Sequence, residues 1–167
     1  MIKINKKSKI SILVFMGSGG HSTQMLKLVD LLNNDHDYIY VIPKSNRITE
    51  KKIKIKGEIY KITSASLLTN TAFHNSITAL ICLFESLVII IKTKPKIIIS
   101  SGPITGLILS LIGKLFGSKI VFIESWSRVT SLSHAGEIAY KLVDLFFIQW
   151  EELKEKYPKS LFEGRLG

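Results

Sequence analysis

The sequence predicts an α/β protein built on one Rossmann-like parallel sheet with helices on both faces. Three observations carry that expectation. Short apolar runs rich in β-branched residues alternate with amphipathic runs at helical spacing. The run Ile97–Ser100 is a continuous isoleucine stretch, as a parallel strand buried on both faces requires. The first apolar run passes into a helix through Gly17-Ser18-Gly19-Gly20-His21, the strand–glycine turn–helix order of anion-binding βα units.

The elements follow in order. Ile10–Met16 is the first strand. Ser22–Leu32 is the first helix, with Met25, Leu28, Val29 and Leu32 on one face. Tyr38–Ile42 is a strand, followed by a polar, basic loop through Gly57 and a short strand, Glu58–Ile62. A Ser/Thr/Asn-rich loop leads to helix Asn75–Lys92, which Thr93-Lys94-Pro95-Lys96 ends. Strand Ile97–Ser100 turns at Gly102-Pro103 into helix Ile104–Phe116, and Gly117-Ser118 leads to strand Lys119–Ile123. The polar loop Glu124–Ser133 precedes helix His134–Val143 and strand Asp144–Ile148. Gln149-Trp150 opens a last short helix that ends before Pro158. Without a repeat or a linker, residues 1–167 read as a single domain whose sheet is complete at Ile148. The segment 149–167 then carries much apolar bulk for a chain end: Trp150, Leu153, Tyr157, Leu161 and Phe162. It is expected to contact a partner; folding back onto its own domain is the alternative.

Composition narrows the function classes. Apolar content of 46% against 22% charged excludes disorder. The single cysteine, Cys82, rules out an internal disulfide and reads as a core residue of a cytosolic protein. The four histidines have no zinc spacing, and there is no Asp-x-Asp, so no metal and no cofactor is expected. The net charge of +10 concentrates at Lys3, Lys6, Lys7 and Lys9, and again between Lys44 and Lys61 with Arg47. Such a surface suits anionic lipid or phosphorylated substrates; a solvated lysine-rich face is the ordinary alternative. Nucleic acid is disfavoured, because the basic stretches lack interleaved aromatics and any binding motif.

Membrane attachment is expected to be peripheral. Ile77–Ile91 is interrupted by Glu85 and would reach about 22 Å as a helix, short of a hydrocarbon core of about 30 Å. Ile104–Phe116 is shorter still. Both read as helices packed on the sheet, one of which can also rest on an anionic bilayer with lysines at the headgroups. A signal-peptide reading of the basic and apolar residues up to Met16 gives way to a strand, because a periodic helix follows at once.

Ligands of such sheets bind beyond the carboxyl ends of the strands. Three loops should meet there: Gly17–His21, Ser100–Pro103 and Glu124–Arg128. The glycine-loop amides of Gly17, Ser18, Gly19 and Gly20 can cradle an anion at a helix N-terminus. Ser100, Ser101, Gly102, Ser125 and Ser127 offer further contacts to phosphate or sugar oxygens, and Arg128 is a phosphate partner. His21 can take a proton near neutral pH, and Glu124 is a second candidate base. The ordinary alternative is a tight turn with a capping histidine. A dinucleotide fingerprint fails, since Ser22 stands at its last glycine and the second strand ends in Pro43-Lys44 rather than an acid. A Walker A loop fails as well, because Leu115 follows Gly113-Lys114.

Four ordered segments resemble one family: Gly-Ser-Gly-Gly-His-Ser-Thr-Gln-Met at 17–25, Ile-Ile-Ser-Ser-Gly-Pro at 98–103, Phe-Ile-Glu-Ser-Trp-Ser-Arg-Val at 122–129, and Asp-Leu-Phe-Phe-Ile-Gln-Trp-Glu-Glu-Leu at 144–153. The family is the acceptor-side, membrane-anchoring subunit of split GT-B glycosyltransferases. It includes the subunit of the UDP-GlcNAc transferase that extends the dolichol-linked oligosaccharide, and prokaryotic exopolysaccharide and capsule subunits; MurG is a single-chain relative. Trp126 stands where many members carry Phe. The resemblance implies the N-terminal half of a GT-B fold, with a separate chain supplying the UDP-sugar-binding half. The length of 167 residues fits one such sheet and not two.

The resemblance also implies transfer of a hexose (GlcNAc, Glc, Gal or GlcA) to a polyprenyl-diphosphate-linked sugar, with inversion, at the cytoplasmic face of the membrane. The family's eukaryotic N-terminal transmembrane helix has no counterpart here, which favours a prokaryotic, peripheral version; an integral anchor stays open. His21 is then the base, and Glu124 orients the acceptor, supports His21 or replaces it. A non-catalytic scaffold that recruits the catalytic chain is the rival. A stand-alone nucleotide-binding domain is a third reading, weakened by Ser22 and Lys44.

Overall fold

A computed structural model describes residues 9–65 and 72–166. Lys3, Lys6 and Lys7, and much of the Ser/Thr/Asn-rich loop, lie outside the described residues. The chain alternates through β1 (Ser11–Phe15), α1 (Gly20–Leu32), β2 (Asp37–Pro43), a 3-10 turn (Thr49–Lys52), β3 (Gly57–Ile62) and α2 (Ala72–Thr93). It continues through β4 (Ile97–Ser101), α3 (Ile104–Leu115), β5 (Lys119–Ile123), α4 (His134–Leu142), β6 (Leu145–Ile148), α5 (Leu153–Lys156) and β7 (Leu161–Phe162). All pairings are parallel. The seven strands lie in the order β3-β2-β1-β4-β5-β6-β7.

Strand alternation sends each strand's apolar residues to two layers. On one face Leu13, Phe15, Val41, Ile98 and Ile120 pack against Cys82, Ile89 and Ile90 of α2 and Leu109 of α3. The same layer continues where Phe122 and Phe146 meet Leu107 of α3 and Ala135 and Ala139 of α4. On the other face Val14, Tyr38, Tyr40 and Ile99 meet Met25 and Val29 of α1. The expected doubly covered parallel sheet is therefore present, and Cys82 is a buried core thiol.

The order reverses between β1 and β4, whose following loops diverge to opposite faces. This switch point opens a crevice at the carboxyl ends of the strands. The loops after β1, β4 and β5 all reach it.

Two expectations are corrected. The sheet does not end at Ile148, because β7 pairs with β6 through Phe147–Leu161 and Ile148–Phe162. The tail finds its home in the domain: Leu153 and Tyr157 are buried beside Phe146, and Trp150 and Phe162 pack on the same cluster. The second correction concerns α2, which begins at Ala72 rather than Asn75 and spans 22 residues. At about 1.5 Å per residue it exceeds the reach expected for Ile77–Ile91. Its stretch Ser76–Thr93 is long and apolar enough to cross a membrane, and only 22% of that window is buried. One side packs on the core through Cys82, Ile89 and Ile90. The other exposes Ile77, Leu80, Ile81, Phe84, Val88 and Ile91, with Leu80 at 65% and Phe84 at 68%.

Candidate functional site

β1 delivers the chain to the crevice through Gly17 and Gly19, both at positive φ. This conformation lets the loop turn sharply into α1. No side chain caps α1, and its first turn carries no acid, so the positive end of the helix stays available to an anion. Ser18, Gly19 and Gly20 are exposed there, whereas Gly17 is buried. The carbonyl of Gly17 accepts a hydrogen bond of 2.8 Å from Asn46 Nδ2. Asn46 is itself held by Thr49, whose N–H donates to Oδ1 at 3.1 Å. An asparagine in the turn after β2 thus pins the glycine loop.

His21 follows on the first turn of α1 and is partly buried. Its Nδ1 lies 3.1 Å from Ser101 Oγ. Gly102, at positive φ, sits against the imidazole, and a Cβ there would overlap the ring. The glycine therefore lets β4 pass close enough to fix the ring. Burial lowers the His21 pKa below 6.5; the nearby Glu124 charge opposes that shift and Arg128 reinforces it. The imidazole is neutral at neutral pH, the form a general base needs.

Glu124 lies at the end of β5 and is fully buried. Its carboxylate accepts from the N–H of Ser125 (2.8 Å) and from the N–H (2.9 Å) and hydroxyl (3.0 Å) of Ser133. Ser133 also caps α4 by accepting from the Gly136 N–H. Glu124 is thus the hub of the loop 124–133, with its charge close enough to His21 to act on it.

These groups surround one cleft of about 210 Å³, lined by His21, Gly102, Pro103, Glu124, Ser125, Ser127, Arg128 and Ser133. Among the described residues no carboxylate pairs with Arg128, which leaves its guanidinium to an incoming anion. Of the residues singled out in the sequence, the structure brings His21, Gly102, Glu124, Ser125, Ser127 and Arg128 to this cleft. Ser18, Gly19 and Gly20 lie beside it at the start of α1. Ser100 and Ser101 differ from expectation. Both are buried, since β4 is covered on both faces. Ser100 bonds Ser110 of α3 at 2.9 Å, and Ser101 bonds His21, so neither presents its hydroxyl to a ligand in the cleft. Sequence reasoning missed Ser133, whose position just before α4 is an N-cap signature. It also missed Asn46, whose turn chemistry after Pro43 was the available signal.

The tail supports the same loop. Gln149 Nε2 donates to the Glu124 carbonyl at 2.8 Å, and its Oε1 accepts from the Leu166 N–H at 2.7 Å. Trp150 Nε1 donates to the Trp126 carbonyl at 2.6 Å. Between α1, β5, β6 and residues 163–166 runs an apolar groove of about 450 Å³, with Leu31, Val121, Leu145 and Phe147 in its lining. Among the described residues α1 is the one α-helix packed on that face, and it forms one wall of the groove through Leu28, Leu31 and Leu32.

Comparison with known proteins adds the following. Residues 12–166 match the family described as oligosaccharide biosynthesis protein Alg14 like. The human UDP-N-acetylglucosamine transferase subunit ALG14 is 31% identical over 186 residues, covering 98% of this chain and 86% of the relative. The corresponding subunit of Schizosaccharomyces pombe is 31% identical over 183 residues, covering 98% and 87%. Among solved structures, MurG of Acinetobacter baumannii superposes with a TM-score of 0.66 at 14% identity, over 84% of this chain and 41% of that one. The UDP-GlcNAc 2-epimerase of Neisseria meningitidis superposes with a TM-score of 0.71 at 14% identity, over 94% and 47%. At that identity the likeness concerns the fold alone. The chain spans less than half of either solved structure.

Proposed function

Because this chain belongs to the family of Alg14-like oligosaccharide biosynthesis proteins, we propose that it is the acceptor-side subunit of a two-chain inverting hexosyltransferase. The partner chain supplies the half that binds the UDP-sugar. The acceptor is a polyprenyl-diphosphate-linked sugar, extended in lipid-linked oligosaccharide or polysaccharide synthesis. GlcNAc is the first donor to test, since the relatives are named as UDP-N-acetylglucosamine transferase subunits.

In this reading His21 removes the proton of the acceptor hydroxyl. The oxygen attacks the anomeric carbon, the new C–O bond forms, and the bond to UDP breaks on the opposite side, which inverts the centre. The amides of Gly17, Ser18, Gly19 and Gly20, with Arg128, hold the diphosphate or the adjacent sugar. Gly102 and Ser125 shape the acceptor side, and Glu124 stabilises the imidazolium that forms. The convergence on one cleft of a neutral histidine, a buried carboxylate and an arginine without a carboxylate partner among the described residues carries the proposal.

Attachment to the anionic cytoplasmic leaflet goes through the outer face of α2. Its exposed apolar stripe and the chain's positive charge support this placement. The partner docks over the apolar groove beside residues 163–166, so the C-terminal segment takes part in the interface.

The test is His21→Ala in the reconstituted pair. Loss of a general base costs roughly 10²–10⁴-fold in turnover, with the fold retained. Equal turnover of mutant and wild type at matched complex concentration would reject the base assignment.

A further inference from the structure

Ser101 and Gln24 are buried polar residues at the edge of the cleft that the proposed chemistry leaves without a task. Ser101 ends β4 and is fully buried. Its hydroxyl contacts His21 Nδ1 at 3.1 Å on one side and Gln24 Oε1 at 3.5 Å on the other. Gln24 lies on α1 with 1% exposure, and its Nε2 has no hydrogen-bond partner among the described residues. Burying an amide with an unmet donor costs stability. A leucine or methionine would fill the same core position without that cost. Packing alone therefore does not account for the glutamine, whose oxygen is turned toward Ser101.

We propose that Gln24 and Ser101 form a buried relay that fixes the tautomer and orientation of His21, which makes both of them positioning residues. This rests on the reading of His21 as the base. Gln24 is acceptor-only at its oxygen, so the Ser101 hydroxyl proton points to Gln24. The oxygen of Ser101 then accepts from His21, which places the imidazole proton on Nδ1. Nε2 keeps its lone pair, and it is the nitrogen left free for the acceptor hydroxyl. The partner of one ring nitrogen sets the state of the other. Here a serine–glutamine pair does so without a carboxylate contact to the ring. Gly102 completes the positioning by closing the space beside the imidazole.

The tautomer can be read in the isolated chain, without partner or substrate. Nitrogen-15 spectra of the histidines at about pH 8, where the ring is neutral, should show His21 with Nδ1 protonated and Nε2 bare. Ser101→Ala and Gln24→Met should each shift the population toward the Nε2–H form. A wild-type ring protonated on Nε2 overturns the proposal, as does a tautomer that neither substitution moves. If Ser101→Ala fails to fold, the wild-type spectrum and Gln24→Met still decide.

In the reconstituted pair both substitutions should lower kcat by about five- to tenfold, the rate equivalent of one neutral hydrogen bond. KM for the acceptor should stay in place. Unchanged kcat with a shifted tautomer would overturn the positioning role. His21→Ala with full turnover would instead reject the base assignment, while the tautomer measurement would still report on the relay itself.

Discussion

The acid limb of the proposed reaction follows from where His21 sits. Burial is the largest influence on its pKa and pushes it below 6.5; Glu124 pulls it up and Arg128 pushes it down. A base must be unprotonated, so kcat/KM of the complex should hold through neutrality and fall only below pH 6.5. Arg128→Ala removes a like charge and should move that limb to higher pH. A limb well above 6.5 in the wild type would contradict the burial argument. The same shift bears on stability. The unfolded chain binds the His21 proton at its ordinary pKa and the folded chain resists it, so the folded state loses stability as pH falls through this range. At this scale the sequence showed the groups that end strands and begin loops. His21, Glu124 and Arg128 meet because β1, β4 and β5 are neighbours whose loops share one edge. Ser100 and Ser101 were misread because a loop-like serine pair continues β4 for its full length. β4 is covered on both faces and buries Ile98 through Ser101, and no local signal separates such serines from ligand-facing ones.

The element scale separates what periodicity reveals from what only packing decides. Every strand and helix of the βα alternation was legible up to Ile148, including the isoleucine strand β4. β7 was not, since it has two residues and no alternation to read. It exists because the tail packs Leu153, Tyr157 and Phe162 on the α4 cluster and brings Leu161 alongside β6. Truncation after Lys156 should therefore destabilise the domain itself. Loss of a buried aromatic alone costs about 3–5 kcal/mol, and Tyr157 also loses its 2.8 Å bond to Glu137. The denaturant midpoint checks this, and an unchanged midpoint would place the tail outside the core. Partner binding needs a gentler probe, and Leu31→Lys supplies one. Leu31 is 69% exposed on α1 beside the groove, so the fold should persist while co-purification with the partner is lost.

For α2 the expected result is flotation with anionic liposomes that added salt reverses. Each lysine near such a leaflet contributes about 1 kcal/mol within a Debye length. Within the basic stretch Lys44, Lys54 and Lys61 are taken up by Glu85, Asp30 and Glu50, which leaves Arg47, Lys51, Lys52 and Lys56 outside those pairs. Glutamate at both Leu80 and Phe84 should abolish flotation with little change in Tm. Retention that resists salt would mean that α2 inserts, and absence of binding at any lipid composition would assign the charge to solvation.

At the scale of the molecule, one parallel sheet with a switch point between β1 and β4 provides a crevice at the carboxyl ends of the strands. That crevice brings together His21, Glu124 and Arg128 beside the glycine loop, and in the proposed enzyme the partner supplies the second wall. The fold class was legible because hydrophobic periodicity and glycine turns are local signals. The apolar groove was not, because it depends on how α1 and residues 163–166 pack beside β5 and β6. The most direct measurement is transfer from UDP-sugars to lipid-diphosphate sugar acceptors by this chain, by its co-purified partner, and by the two together. Turnover is expected only for the pair. Turnover by this chain alone, or by the partner alone at the rate of the pair, would contradict the proposed function.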